Sequence, residues 1–421
     1  MIDAVLLNER VRAARAHIER SDEATLGRQA ALSAIPAPTG AEGARGARVA
    51  EMLGQAGLTD VQVDEVGNVR GWYRTGSSVG AQDAAPLHHG CVVVSAHLDT
   101  VFGPELDVSV ARRGPRLEGP GIADNARGLA ALVAIGESLV WARVETQRPV
   151  LFAATVGEEG SGDLRGVRYL LNDQVGAQHA AALHNSSPPR VPIRPHAFIA
   201  LDGAGIERIV HRALGTRRYR VTYHGPGGHS WAAFGVANPA NAVGRATASL
   251  ADIAVPHAPR STCAVVRIGG GTGLNSIPQT AWFDLDLRSE DPRTLEKLDA
   301  AVQTILTGAL DEENRHRIPG TAPLSIDVRR VGDRPSGLTP RTHPLVQTAV
   351  AATRAVGHEH QLACASTDAN VPIALGVPAV ALGAGGRAGD AHLPTEWYEN
   401  DKGALGIVRA LLVTAAMAEA G

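Results

Sequence analysis

Cys91-Val-Val-Val-Ser-Ala-His97-Leu-Asp99-Thr-Val101 is the stretch on which the reading of this chain turns. Apolar and small residues run without a break into a histidine and, two positions on, an aspartate. A continuous Val-rich run is the pattern of a strand buried on both faces, as in parallel sheets; a half-exposed strand alternates instead. Open α/β sheets bind ligands beyond the carboxyl ends of their strands, which is where His97 and Asp99 fall. The two-residue period of a strand points both side chains the same way. Taken alone, the pair reads equally well as two strand-end groups hydrogen-bonded to backbone.

Neighbouring segments repeat the pattern. Pro149–Val156 is a second apolar run and ends in Gly157-Glu158-Glu159-Gly160, and Ala197–Leu201 is a third, ending in Asp202-Gly203. Between them the loop Gly119-Pro-Gly-Ile-Ala-Asp124-Asn-Ala-Arg-Gly128 feeds a helix whose apolar face holds Leu129, Leu132, Val133, Leu139 and Val140. Buried strands separated by helical segments, each delivering acid or histidine at its carboxyl end, indicate an α/β domain with a shared site. Upstream, residues 2–33 read as helical, Ala47–Leu53 as an amphipathic helix, and Val61–Val66 with Val69–Tyr73 as a strand pair. Residues 75–90 and 185–195 are connections rich in small residues and proline, the first containing an exposed His88-His89 pair.

The pattern changes near residue 212. Arg217–His224 alternates like a half-exposed strand, Asn238–Ile253 is helical, Cys263–Ile268 and Gln279–Arg288 are strands, Leu295–Leu310 is helical and Leu324–Val331 is a last strand. That order, β-α-β-β-α-β, predicts a split βαβ unit with an antiparallel sheet. The α/β character returns with helical His343–Val356, strand-like Ala379–Leu382, a Gly-rich loop holding Asp390-Ala-His392, and a closing helix from Gly403. The expected division is 1–211 and 332–421 for the α/β domain and 212–331 for the insertion.

Composition agrees with a two-domain globular chain: 421 residues, 44% hydrophobic and 20% charged. A net charge of −3 with no basic block excludes an electrostatic nucleic-acid or membrane-surface partner. The amino-terminal stretch lacks the order of a signal peptide, so a cytoplasmic location is expected. Cys91, Cys263 and Cys364 lie far apart in sequence and read as buried thiols rather than disulfides or a metal cluster. Gly269-Gly-Gly-Thr-Gly273 lacks the lysine of a phosphate loop and reads as a hairpin turn.

The polar residues collected at strand ends and loops are His97, Asp99, Asp124, Glu158, Glu159, Asp202 and His392. Imidazole nitrogen and carboxylate oxygen are zinc ligands, and catalytic zinc sites keep a position open for water. Two histidines and three carboxylates fit a pair of metals sharing a bridging carboxylate, with two carboxylates to spare; paired metals clamp and activate water in hydrolases. Adjacent side chains diverge on a turn, so one of Glu158 and Glu159 can bind metal while the other takes a proton from water and passes it to a leaving amine. Alone, the pair also reads as a solvated surface pair, and Asp124 as a helix N-cap.

The ordered set His97-Leu-Asp99, Gly121-Ile-Ala-Asp124-Asn, Gly157-Glu158-Glu159-Gly160, Asp202 and His392 resembles the zinc-dependent hydrolase family of peptidase T, carboxypeptidase G, acetylornithine deacetylase, succinyl-diaminopimelate desuccinylase and aminoacylase. The resemblance spans nearly the whole chain. It implies a zinc-exopeptidase-like α/β catalytic domain with a mostly parallel central sheet, interrupted by an α+β ferredoxin-like lid that in many members forms a homodimer. It implies two Zn²⁺, with Co²⁺ or Mn²⁺ as substitutes: His97 and Asp202 on one, Glu159 and His392 on the other, Asp124 bridging. Glu158 would be the general base and acid, and Asp99 the partner that orients His97. In the lid, Gly225-Pro-Gly-Gly-His229-Ser230 matches the motif whose histidine stabilises the oxyanion, and Asn275 and Arg288 fall in substrate-binding segments. Asp202, where deacylases of the family more often carry glutamate, places the chain on the peptidase T-like side. Arg127 stands where many relatives have lysine. The implied activity is aminopeptidase action on short peptides; the alternatives are an N-acyl or N-carbamoyl amino-acid amidohydrolase and a non-catalytic metal-binding relative.

Overall fold

The computed structural model describes residues 2–75, 90–171 and 193–421. The His88-His89 pair and most of the 185–195 connection lie outside them. Two compact units divide the chain, Met1–Ala213 with Leu338–Gly421, and Leu214–Gly337.

In the first unit Val92–His97 is a strand buried at every position. It pairs in parallel with Val150–Thr155 on one side and Ala197–Leu201 on the other, and Ala379–Leu382 continues the parallel set beyond Ala197–Leu201. Antiparallel strands flank this core: Val69–Tyr73 then Thr59–Val63 at one edge, Arg208–Ala213 at the other, with Gln361–Ala365 running parallel to Arg208–Ala213. The apolar run is continuous because both faces are covered. Val92, Val94 and Ala96 join Phe152, Ile199, Leu132 and Leu411 in one cluster, while Cys91 and Val93 join Leu151, Phe198, Val167 and Val371 in the other. Each fully buried Val contributes roughly 1.5–3 kcal/mol relative to exposure. Main-chain pairing uses up the backbone of these strands, so only their carboxyl ends present groups for chemistry.

Three features depart from the sequence-based expectation. The amino-terminal helical stretch is three helices, Ile2–Leu7, Glu9–Arg20 and Asp22–Ser33. The break before the second is capped by Asn8, whose side chain accepts from the Val11 amide. The strands Arg208–Ala213 and Gln361–Ala365 had no clear signal, since each carries charged or polar residues at the rim of the sheet. A second, antiparallel sheet runs Arg387–Gly389, Trp397–Glu399, Arg116–Glu118, Ala111–Arg113. Strands of three residues are too short to show a period, yet this sheet leads directly into the loops that carry Asp124 and His392.

The second unit is built from Gly215–His224, helix Pro239–Ala251, Ser261–Gly270, Thr280–Ser289, helix Pro292–His316 and Ser325–Arg334. Its antiparallel sheet has the order Ser261–Gly270, Thr280–Ser289, Gly215–His224, Ser325–Arg334, the ferredoxin-like arrangement. Tyr219, Val221, Tyr223, Phe283, Leu285 and Leu287 form the buried face and pack on Ala242, Leu250, Leu298 and Val302 of the helices. The expected boundaries at 211 and 331 fall inside the strands Arg208–Ala213 and Ser325–Arg334, each of which continues past the expected edge. No helix among the described residues is long and apolar enough to cross a membrane.

Candidate metal and catalytic centre

His97 closes its strand with a defined tautomer. Its Nδ1 lies 3.1 Å from the Asp99 backbone carbonyl, which can only accept, so the neutral ring carries its proton on Nδ1 and has its lone pair on Nε2, while the protonated ring donates from both. Nε2 faces Asp124 Oδ1 at 3.0 Å and Asp202 Oδ1 at 3.9 Å. The Arg45 guanidinium, buried beneath the turn, donates to the Leu98 carbonyl at 2.9 Å and steadies the link between His97 and Asp99.

Asp99 does less directly to His97 and more to the neighbouring turn than the resemblance implies. Its Oδ1 is 3.6 Å from His97 Nδ1, beyond the carbonyl contact. The carboxylate instead accepts from the backbone amides of Glu158 and Glu159, each at 2.9 Å, and from Thr39 Oγ1 at 2.8 Å. Glu42 accepts from the preceding amide, Gly157, at 3.0 Å. Three successive amides are therefore held by two buried carboxylates. Gly157, at φ 63°, lets the chain turn sharply there. Glu158 and Glu159 are both buried.

Asp124 is not the cap of the helix that follows. Asn125 caps Ala126–Ala142, its Oδ1 accepting from the Gly128 amide at 3.1 Å. The same side chain donates to the Leu201 carbonyl at 2.8 Å and accepts from the Gly203 amide at 3.2 Å, tying the Asp124 loop to the turn that carries Asp202. Asp124 then offers one oxygen to each histidine: Oδ1 to His97, and Oδ2 to His392 Nε2 at 3.1 Å. His392 Nε2 also lies 3.1 Å from Glu159 Oε1.

The electrostatics follow from these contacts. Burial alone would lower the pKa of His97, but Asp124 and Asp99 outweigh it and hold the imidazole well above its usual value. Asp124 and Glu159 raise His392 to about 10. Burial disfavours the Asp124 carboxylate, yet hydrogen bonds from His392 and His97 keep it below the usual range. Burial and the charge of Asp124 push Asp202 up to about 7. Without a cation, protons on the two histidines balance the clustered carboxylates. Donor atoms of His97, Asp124 and Glu159 lie within 4.8 Å of one another, and both nitrogen and oxygen donors suit zinc-like ions. The residues present fit a metal centre.

In the second unit the structure brings two of the expected residues together. Gly228–His229 pairs with Ser276–Ile277, and the Asn275 carbonyl accepts from the Ser230 amide at 2.9 Å. His229 is exposed, and its Nδ1 accepts from the Trp231 amide at 3.2 Å, which leaves Nε2–H as the outward donor of the neutral ring. Arg288 lies on the strand face opposite the helices, its Nε 2.7 Å from Asp286 Oδ1.

Glu42, Arg45, Thr39 and Glu396 were not singled out from sequence. Glu42, Arg45 and Glu396 act on backbone and Thr39 on the Asp99 carboxylate, and such supporting roles leave no spacing signal. Glu42 offered the weak one of an acid at a helix start.

The model of Peptidase family M20/M25/M40 matches residues 93–418. The chain belongs to this family. It is accordingly a metal-binding hydrolase, with the mostly parallel catalytic sheet and inserted unit described above. Among solved structures it is similar to aminopeptidase PepT from Bacillus cereus, with 18% identity, a TM-score of 0.69 and coverage of 94% of this chain and 98% of that one. It is also similar to an amidase of the hydantoinase/carbamoylase family from Burkholderia vietnamiensis, with 20% identity, a TM-score of 0.68 and coverage of 95% and 97%. A third is a Bacillus subtilis M20-family peptidase described as dinuclear metal binding, with 14% identity, a TM-score of 0.62 and coverage of 96% and 99%. At these identities the likeness is one of fold. No curated protein sequence matches the chain.

Proposed function

We propose that this M20-family chain is a two-zinc aminopeptidase acting on short peptides. The observation that carries the two-cation reading is Asp124, whose two oxygens each face a different histidine. His97 and Asp202 would hold one cation, His392 and Glu159 the other, with Asp124 between them. When bound, the pair would supply Lewis-acid polarisation of the scissile carbonyl and a more acidic water.

The chain's own residues supply the rest. Glu158, buried and projecting from a turn pinned by Asp99 and Glu42, takes the proton of the attacking water and returns it to the departing amine. Asp99 holds Glu158 and Glu159 in register with each other. In this reading His229 offers Nε2–H to the developing oxyanion, and Asn275 and Arg288 contact the substrate. Support for a peptide substrate comes from Asp202 in place of glutamate and from the PepT likeness. The carbamoylase likeness supports the second reading, an N-carbamoyl or N-acyl amino-acid amidohydrolase.

A panel of tripeptides, dipeptides, and N-acetyl and N-carbamoyl amino acids, assayed with Zn²⁺, Mn²⁺ or Co²⁺, separates the two. Release of the amino-terminal residue from free-amine peptides is the expected result. Turnover of acylated or carbamoylated substrates alone would replace the aminopeptidase reading with the second one.

A further inference from the structure

Glu396 is fully buried and sits four residues beyond His392, at the start of the strand Trp397–Glu399. Its Oε1 accepts from the Ala123 and Asp124 amides, each at 2.8 Å, and its Oε2 from the Gly121 amide at 3.1 Å. Its backbone carbonyl accepts from Gly119 at 2.9 Å, and its amide donates to the Leu393 carbonyl at 3.0 Å. This residue therefore joins the two loops: its side chain and carbonyl are engaged in the loop of Asp124, and its amide in the loop of His392. The short sheet continues the same connection, since Trp397–Glu399 pairs with Arg116–Glu118, the strand that leads into the Asp124 loop. His392 itself is held at φ 66°, a region sparsely populated by residues other than glycine, so its position depends on the loop around it.

We propose that Glu396 is a positioning residue that sets His392 against the bridging carboxylate of Asp124, and so determines how tightly the cation between them is held. The proposal rests on the two-cation reading of the site. The physical basis is an acceptor count. Three amide donors converge on one carboxylate, which offers acceptor lone pairs only; a glutamine amide replaces one oxygen with a donor group and must turn away at least one of the three. The loop then relaxes at the residue that carries the bridging ligand. His97 is steadied separately, by Arg45 beneath its turn and the carbonyl of Asp99, so the first cation position does not depend on Glu396 in the same way.

The test is metal binding by the full-length protein, stripped with chelator and titrated with Zn²⁺ by calorimetry, with elemental analysis after dialysis. Glu396→Gln is expected to weaken one of two equivalents by about 10- to 100-fold, the usual cost of losing a residue that orients a ligand, and to weaken the other, which shares Asp124 but keeps His97 in place, distinctly less. It should also lower kcat while leaving KM unchanged. Glu396→Asp, which keeps the charge but shortens the reach, is expected to fall between wild type and Glu396→Gln. A purely structural role would lower the melting temperature of the metal-free protein and leave the ratio of the two affinities as in wild type; that result overturns the proposal. If Glu396→Gln does not fold, Glu396→Asp decides: wild-type affinity for both equivalents overturns the proposal, and selective weakening of one supports it. Wild-type protein that binds fewer than two cations overturns the two-cation reading itself, and the positioning role with it.

Discussion

The carboxylates gathered at the candidate metal centre are neutralised differently from those of the inserted unit. In the inserted unit acids meet arginine: Asp299 pairs with Arg217 at 2.7 Å, Asp286 with Arg288 at 2.7 Å, and Glu313 with Arg245 at 3.1 Å, while Asp284 is gripped by Arg220. Around the candidate centre of the first unit Asp124 and Glu159 meet histidine, Asp99 and Glu396 meet backbone amides, and Glu42 meets both the Gly157 amide and, at 3.1 Å, Arg165. Arginine stays charged at every accessible pH, so an acid paired with it is committed to structure. Histidine can give up its proton and become a ligand, so an acid paired with it can exchange that proton for a cation. The amide-bound acids sit one layer further out and fix the turns from which the ligands project.

This contrast is tested most severely by Glu158→Gln. On the proposed mechanism this leaves the ligand set untouched and removes the general base, so kcat should fall by roughly 10²- to 10⁴-fold, with metal content by elemental analysis unchanged. Unchanged turnover with metal retained would remove Glu158 from the chemistry. Asp99→Asn comes next. An amide nitrogen facing one of the Glu158 or Glu159 amides loses a hydrogen bond, and metal affinity or kcat/KM should drop by about 10- to 100-fold. If the variant instead showed normal affinity and activity and only a lower melting temperature, Asp99 would belong with the structural acids.

The smallest effect is expected in the inserted unit. Arg220 donates to Asp284 and stacks 3.9 Å from the centroid of Trp282. Its hydrogen bond holds the Asp284 carboxyl below the usual range. A depressed carboxylate adds stability above its unfolded-state value, and that stability is lost as pH falls through the lower folded-state value. Arg220→Ala should therefore shift the acid unfolding midpoint, followed by circular dichroism below about pH 4, towards higher pH. At neutral pH the cost should stay under about 1 kcal/mol, since the pair is largely solvent-screened. Turnover should not change. A large loss of turnover at normal stability would break the distinction between the two kinds of acid.

The core of the first unit was legible because buried parallel strands write themselves as unbroken apolar runs, and three of these runs lead into histidine or acid. His97, Asp202 and the Glu158-Glu159 pair follow three such runs directly. Asp124 was ambiguous with a helix cap until Asn125 was seen to take that role. His392 carries no periodic signal of its own; it was collected as a loop histidine, and its role was supplied by the resemblance. The expected domain edges at 211 and 331 fall inside the strands Arg208–Ala213 and Ser325–Arg334, each of which continues a few residues further than its local pattern indicates.

Local sequence therefore determined which strands are buried, where their ends lie, and which side chains stand there, because burial on both faces and the two-residue period are properties of short segments. Only the tertiary structure decided that one carboxylate would face two histidines, one of them 268 residues away from it in sequence. It also decided that Asp99 would grip the Glu158–Glu159 amides more closely than it grips His97, and that Glu396 would close the loop of Asp124. Those roles are contacts to backbone across distant segments, and a backbone amide has no residue identity for a sequence to display.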